Sequence, residues 1–136
     1  MKIVTKVLLL GVSLLAPSLL FAHARLTAAS PADGAVVNES PETLTLTFNE
    51  DVQLLKLTLT GTDEKPVATG FKPSSANQTT FSVALPELAK GAYTVNWTIM
   101  GDDGHKVEET YTFSLDTGAP ATTGSAGEKS HTGHSQ

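Results

Sequence analysis

The amino-acid sequence predicts an all-β protein, an immunoglobulin-like Greek-key β-sandwich or barrel of about seven strands. Apolar residues alternate with polar residues in five short segments, which is the pattern of strands buried on one face. Clusters of Gly, Pro, Asp and Ser separate these segments and are typical of turns. The one helix-like segment, residues 86–90, is too short for more than a single turn.

The alternating segments account for five of the predicted strands. In chain order they cover residues 44–48, 55–59, 81–85, 93–99 and 111–115. Two weaker strands, in which the alternation is less regular, are predicted at residues 24–29 and 66–71. Turns, each built from residues that favour them, are predicted at residues 30–34, 61–63 and 72–75. Seven short strands of this kind favour a single sandwich domain over residues 23–116.

Two aromatic residues of the fourth alternating segment are expected to serve the fold. Tyr93 follows Gly91 and Ala92 at the start of its strand, as in a tyrosine corner, whose hydroxyl binds the backbone upstream. Trp97, the only tryptophan of the chain, lies on the apolar side of the alternation and is predicted to be a core residue.

The first 22 residues are predicted to be a secretory signal peptide. Lys2 and Lys6 precede an apolar run over residues 7–20, and Ala22 offers a small residue for cleavage. A membrane anchor is disfavoured because the run is short and a polar chain follows at once. An Ala-x-Ala pattern would instead place cleavage after Ala24 and remove His23, and signal-peptide rules alone leave both positions open.

Composition and charge exclude several classes of function. The 136 residues contain no cysteine, so neither a disulfide framework nor a thiolate metal site is available. Loss of Lys2 and Lys6 with the signal peptide leaves 7 basic against 14 acidic residues, a formal net charge of −7. Such an acidic chain is a poor partner for nucleic acids or anionic lipids.

The C-terminal residues 117–136 are predicted to form a disordered tail. This segment is rich in Gly, Ala, Ser and Thr and has almost no large apolar residue that a core could bury. It carries His131 and His134, which as a pair could hold a metal ion only weakly. An unstructured tail without a function of its own is the favoured interpretation.

Two histidines remain within the predicted domain, His23 at its start and His105 in a loop after the fourth strand. Asp103 and His105 are two residues apart, so an extended backbone would direct both side chains the same way. Loops at one end of a sandwich often carry functional sites. Taken alone, this Asp-x-His pattern is more often a solvated hydrogen-bonded pair than a metal site.

An N-terminal His23 would add unusual metal-binding chemistry. A free α-amine has a pKa of about 7.7–8.0, so a metal ion can displace its proton near neutral pH. The amine and the ring nitrogen would chelate one ion, and His105 with Asp103 would complete a set of three nitrogens and one oxygen. This set suits copper(II) and, less well, nickel(II), whereas zinc prefers a tetrahedron. Copper(I) lacks soft ligands, because Met100 is the only methionine beyond Met1.

The sequence resembles the CopC family of periplasmic copper-resistance proteins over nearly the whole predicted domain. The matching motifs, in chain order, are His23-Ala24-Arg25, Ser30-Pro31-Ala32-Asp33-Gly34-Ala35, Leu46-Thr47-Phe48-Asn49-Glu50, Gly91-Ala92-Tyr93-Thr94-Val95-Asn96-Trp97 and Asp103-Gly104-His105. Each match is modest, but their order and spacing together are specific.

The resemblance implies a small Greek-key barrel or sandwich that binds copper without catalysis in the periplasm. It implies cleavage after Ala22 and a copper(II) site made of the His23 amine and imidazole with Asp103 and His105. Glu50 matches an acidic position that supports the N-terminus. The implied role is that of a monomeric copper carrier or buffer without a membrane span, which passes the ion to an inner-membrane copper transporter of the CopD type.

The chain departs from the family pattern at three points. It has no methionine-rich copper(I) loop, which argues against copper(I) binding and against transfer between the two oxidation states. Lys106 stands where a proline often follows the motif histidine, and Glu109 stands where a glycine is common. These two differences affect the shape of the loop and leave the ligands unchanged.

Two other classes of function remain open on the sequence. An N-terminal histidine paired with a second histidine is also the copper site of oxidative enzymes that act on polysaccharides. Here the chain is short, aromatic residues make up only 6% of it, and Asp103 would occupy a position that oxygen chemistry needs open. A sandwich module that binds proteins without any metal is the third class, since this fold hosts many functions.

Overall fold

The computed structural model describes residues 23–118 and residue 120. The predicted signal peptide, the tail histidines His131 and His134, and most of the predicted tail lie outside these described residues. The described strands, in chain order, are β1 Leu26–Ser30, β2 Val36–Val37, β3 Thr43–Thr60, β4 Pro66–Val67, β5 Gln78–Ala84, β6 Gly91–Met100 and β7 Lys106–Leu115. The prediction of an all-β fold with about seven strands is confirmed.

Strand β3 organises the topology because it takes part in both layers of the curled sheet. Its first part pairs antiparallel with β1 and β5, and its second part pairs antiparallel with β6 and β4. Strand β7 pairs antiparallel with β6 over its whole length, and β2 adds a short parallel pairing at residues 114–115. The strand order is therefore β1-β3-β6-β7-β2, with β4 and β5 added along β3.

The continuity of β3 differs from the sequence prediction of two separate strands, at residues 44–48 and 55–59. A register shift between Leu54 and Lys56 marks a bulge, which places one extra residue in the strand. Because a one-residue shift exchanges the two faces of a strand, Leu54 is buried whereas Leu55 is only partly buried. The expectation that Leu55 would belong to the apolar face was therefore wrong.

The remaining differences concern short elements, and the weak strand predicted at residues 66–71 is reduced to β4, Pro66–Val67. The pairing of β2 was not predicted, because two residues are too few to show any alternation. The segment 86–90 is not helical, and the N–H of Leu88 instead donates to Ser40 Oγ at 2.8 Å. A 3₁₀ turn occurs at Thr62–Glu64 and overlaps the turn predicted at residues 61–63.

The core lies between the layers and includes both aromatic residues singled out from the sequence. Trp97 is 1% exposed and meets Phe48 edge to face, with ring centroids 5.1 Å apart. The Tyr93 hydroxyl donates to the carbonyl of Ala89 at 2.5 Å, and its ring stacks on Phe113. The predicted tyrosine corner and the predicted core tryptophan are thus both present.

No helix within residues 23–118 and 120 is long and apolar enough to cross a membrane.

Candidate metal centre

The loop between β6 and β7 carries Asp103 and His105 at one end of the molecule. Met100 and Lys106 form the last pair of the β6–β7 ladder, so five residues make the connection. The N–H of Gly101 donates to the carbonyl of His105 at 3.2 Å, and the N–H of Gly104 donates to the carbonyl of Gly101 at 3.0 Å. Gly104 has a φ of +78°, a conformation that glycine adopts without the steric cost of a Cβ.

This turn brings Asp103 and His105 together by a route other than the predicted extended backbone. Asp103 Oδ1 accepts the backbone N–H of His105 at 3.0 Å, and Asp103 Oδ2 lies 2.9 Å from His105 Nδ1. These hydrogen bonds, with a smaller contribution from nearby histidine charge, lower the pKa of Asp103 below its usual 3.8. The Asp103 side chain therefore stays ionised and holds the imidazole of His105 in one orientation.

The segment that begins at His23 is fixed against β3 by Asn49. The N–H of Arg25 donates to Asn49 Oδ1 at 2.8 Å, and the N–H of Asn49 donates to the carbonyl of Arg25 at 3.1 Å. The Asn49 amide also donates to the carbonyl of His23 at 3.4 Å. With Ala24 buried beside it, His23 is held at the same end of the molecule as the β6–β7 loop.

His23 and His105 come close to one another across this end of the molecule. Their ring centroids are 6.4 Å apart, with the ring planes inclined at 68°. Two imidazoles that share one ion at metal–nitrogen distances of about 2.0–2.1 Å have centroids at most roughly 6–6.5 Å apart. The observed separation is near that upper limit, so the two rings are close enough for one ion to lie between them.

The N-terminal segment, strand β3 and the β6–β7 loop meet around Gly101. A Cβ built on Gly101 would lie 3.2 Å from both Asp103 Oδ1 and Glu50 Oε1, and 3.5 Å from Ala24 Cβ. The structure therefore brings Glu50 to the predicted ligands. Side chains alone do not complete a site, since residues 23–118 and 120 contain no group of three or more histidine, aspartate or glutamate residues arranged to hold a metal ion.

Two residues of this arrangement were not singled out from the sequence. Asn49 was noted only as part of a motif, although it supplies the hydrogen bonds that fix the chain before β1. Gly101 has an ordinary backbone conformation, so its role lies in the space that its missing side chain leaves. The interruption of an alternating strand by a polar residue is a sequence signal that indicates Asn49. No sequence signal indicates the role of Gly101.

Comparison with known proteins identifies the relatives of this chain. A family model described as "CopC domain" matches residues 26–116, a range that includes Glu50, Asp103 and His105 and begins after His23. Protein YobA of Escherichia coli strain K12 is 37% identical over 111 residues, covering 79% of this chain and 89% of that protein. Copper resistance protein C of Xanthomonas campestris pv. juglandis is 28% identical over 123 residues, covering 84% and 95%.

Solved structures show the same fold. CopC from Methylosinus trichosporium OB3b superposes with a TM-score of 0.61 at 31% identity, covering 69% of this chain and 94% of that one. PcoC, a methionine-rich copper resistance protein from Escherichia coli, superposes with a TM-score of 0.58 at 28% identity, covering 70% and 100%. The family model spans most of the chain, and sequence and structural relatives agree with it. This protein belongs to the CopC family.

Proposed function

We propose that this protein binds copper(II) in the periplasm and acts there as a copper carrier or buffer in copper homeostasis or resistance. The observation that carries the proposal is the approach of His23, Asp103 and His105 at one end of the barrel. Membership of the CopC family supports it, because one relative is named copper resistance protein C and another is a methionine-rich copper resistance protein.

The proposed donors are three nitrogens and one oxygen. His23 supplies its α-amine and its ring, which close one chelate ring on the ion. His105 supplies a ring nitrogen, and its Nδ1 lies 2.9 Å from Asp103 Oδ2, a spacing at which both atoms can bind one ion side by side. Asp103 supplies an oxygen, since each carboxylate oxygen keeps a second lone pair beyond the one that His105 engages. Glu50 lies beside this set and offers a negative charge to the N-terminus.

This donor set favours copper(II) over the other common metals. Nitrogen and oxygen ligands in a tetragonal arrangement suit copper(II), which also binds such sites more tightly than nickel(II) or zinc(II). Copper(I) prefers thiolate and thioether ligands, and residues 23–136 contain no cysteine and only Met100. The proposed site therefore binds copper(II) and not copper(I).

The site requires that the mature chain begin at His23. In the precursor the nitrogen of His23 belongs to a peptide bond and cannot act as an amine ligand. Cleavage after Ala22 would release this amine as the protein enters the periplasm. Copper binding would thus be limited to the exported protein.

The exposure of the site suits exchange of an ion rather than catalysis. The side chains of His105 and Asp103 are 73% and 44% exposed, so a partner can reach the ligands directly. A monomer that presents copper in this way can deliver it to an inner-membrane transporter of the CopD type. With Asp103 bound, the ion lacks the open position that oxygen activation by a copper enzyme would need.

A copper(II) titration of two versions of the chain tests the proposal. One version begins at His23, and the other keeps a methionine before it. We expect the first to bind one equivalent with an electron paramagnetic resonance spectrum typical of nitrogen and oxygen ligands. Changes outside the ligand set commonly lower metal affinity by about 10–100-fold. The second version loses a ligand, so it should bind copper(II) more weakly by at least this factor.

Two results would contradict the proposal. Equal copper affinity of the two versions would remove the amine from the ligand set. Oxygen consumption by the copper-loaded protein with a reductant, above that of free copper, would favour the oxidative enzyme instead.

A further inference from the structure

A groove follows the seam at which the curled sheet does not close. Strand β1 ends the strand order on one side and, among the described strands, pairs only with β3. Residues 26–29 of β1 and residues 109–111 of β7 face each other across a groove of about 430 Å³. Because consecutive residues of both strands line it, the walls of the groove are two strand edges.

The wall formed by β7 has an unpaired stretch of backbone. The carbonyl of Thr112 accepts the N–H of Gly34 at 2.7 Å, and the N–H of Ser114 donates to the carbonyl of Ala35 at 2.8 Å. Alternate residues of an antiparallel strand direct their backbone groups to the same side, so those of Thr110 point to this edge as well. No strand within residues 23–118 and 120 pairs with the outer edge at Thr110. Such an edge can accept a further strand.

The wall formed by β1 leaves room for that strand. Thr27, Ala28 and Ala29 line the groove with small side chains, and Thr27 and Ala28 are exposed. Small residues at an edge let another backbone approach closely. The floor is apolar, since Trp97 lies beneath with 1% of its surface exposed.

The charge of the groove is negative. Asp33 and Glu109 are its charged residues, and no lysine, arginine or histidine lines it. The hydroxyl of Tyr111 is buried at this groove without a hydrogen-bond partner among the described residues. Burial, and then the nearby charge of Asp33, raise the pKa of Tyr111. Asp33 is thus close enough for its negative charge to affect Tyr111 inside the groove.

We propose that this groove binds an extended, positively charged segment of a partner protein by strand addition. The backbone of the segment pairs with the exposed edge at Thr110, and its basic side chains reach Asp33 and Glu109. A second copy of this chain fits less well, because it would bring two acidic grooves together on a protein whose formal net charge from His23 onward is −7. The proposal does not depend on copper, since none of the proposed ligands lines the groove.

A titration of the copper-free chain from His23 to Gln136 with a defined peptide tests this inference. The probe is a seven-residue peptide of alternating lysine and valine, acetylated and amidated, followed by amide NMR and by the fluorescence of Trp97. We expect saturable shifts confined to residues 26–29 and 109–111. A glutamate–valine peptide of equal length should give none, and N-methylation of alternate residues, which removes N–H donors, should abolish binding.

A matched pair of variants separates the groove from general attraction to an acidic protein. Glu109→Gln removes a charge from the groove, whereas Glu108→Gln removes the same charge from the next residue, whose side chain faces the other side of the sheet. We expect Glu109→Gln to weaken peptide binding about twofold to fivefold, the range of an exposed ion pair, and Glu108→Gln to leave it unchanged. Equal effects of the two variants, or peptide shifts centred on residues 101–105, would overturn the proposal. Concentration-dependent shifts at the groove without peptide, with dimers in sedimentation, would assign the groove to a second copy and overturn it as well.

Discussion

At the residue scale, the contact between Asp103 and His105 has both a structural and a chemical consequence. Two hydrogen bonds to one carboxylate fix the orientation of the imidazole before any ion arrives. A hydrogen-bond partner of this kind is typical of histidines that bind metals, because it sets the orientation of the ring. The same contact is also found in solvated pairs without any metal, so substitutions are needed to separate the two.

His105→Ala should lower copper(II) affinity by at least about 100-fold, because it removes a proposed ligand rather than a supporting group. Asp103→Ala should cost less, about 10-fold, because water can replace a single oxygen ligand. Competition with a chelator of known affinity measures both losses. The side chain of His105 is 73% exposed, so the variant should keep its fold, and an unchanged melting temperature is the control. Copper affinity equal to wild type in His105→Ala would place the ligand elsewhere.

The lowered pKa of Asp103 predicts how stability depends on pH in the copper-free protein. The fold favours the ionised form of Asp103, and this preference stabilises the protein. The stabilisation is present above the usual pKa of 3.8 and is lost as pH falls through the lower pKa of the folded state. Asp103→Asn keeps an acceptor oxygen but cannot ionise. Its melting temperature should lie slightly below that of wild type at pH 5–6, and the difference should shrink as pH falls below 3.8 and through the lower folded pKa.

Asp102→Asn is the matched control for this measurement. Asp102 lies on the same turn but makes none of the hydrogen bonds to His105. We expect its melting temperature to follow that of wild type at every pH. A difference for Asp103→Asn that does not shrink as pH is lowered below 3.8 would show that its effect does not come from ionisation.

At the scale of elements, the site depends on three segments that are far apart in the sequence. The chain before β1, the middle of β3 and the β6–β7 loop meet around Gly101. Sequence patterns predicted the first and third segments, because histidine and aspartate carry recognisable chemistry. The middle of β3 was predicted to lie between two strands, residues 44–48 and 55–59, since three polar residues, 49–51, interrupt the alternation. In the structure these residues continue the strand, and Asn49 holds the N-terminal segment in place.

Gly101→Ala should lower copper affinity several-fold with little loss of stability. The new Cβ would lie 3.2 Å from the carboxylate oxygens of Asp103 and Glu50, a distance that makes one or both shift by a few tenths of an ångström. Both carboxylates are at least partly exposed and can move, so the fold should tolerate the change. Chelator competition and thermal melting of the same preparations report the two quantities.

Gly104→Ala provides the contrasting control on the same loop. A Cβ there meets nothing within 4 Å, but the φ of +78° is unfavourable for alanine. This variant should therefore lose about 1 kcal/mol of stability through backbone strain without crowding the carboxylates. If both variants lower copper affinity in proportion to their loss of stability, crowding at Gly101 is not the cause.

At the scale of the whole molecule, the sequence was sufficient for the fold class, because the five alternating segments form strands in the structure, two of them within β3. The sequence was insufficient for features of the fold that depend on contacts between distant parts of the chain. The bulge at Leu55 and the pairing of β2 depend on neighbouring strands, and no local pattern indicates them. The seam between β1 and β7 is likewise a property of the curled sheet as a whole rather than of any single segment.

The C-terminal tail should not be needed for tight copper binding by the domain. Deleting residues 118–136 removes His131 and His134 but none of the proposed ligands. The shortened protein should therefore still bind one equivalent of copper(II) tightly. Trp97 reports this directly, because it lies six residues before Asp103 and hence within about 20 Å of it. Copper(II) has an unpaired electron and quenches a nearby indole, whereas closed-shell zinc(II) quenches little.

Emission from Trp97 should thus fall up to one equivalent of copper(II) and then remain level, in the full chain and in the shortened chain alike. The emission wavelength should stay short, because Trp97 is 1% exposed and the core need not move when the ion binds. His105→Ala in the shortened chain should abolish the break at one equivalent, since the remaining donors no longer complete the tetragonal set. If instead the break disappears with the tail and survives His105→Ala in the full chain, the tail histidines hold the tight site and the loop does not.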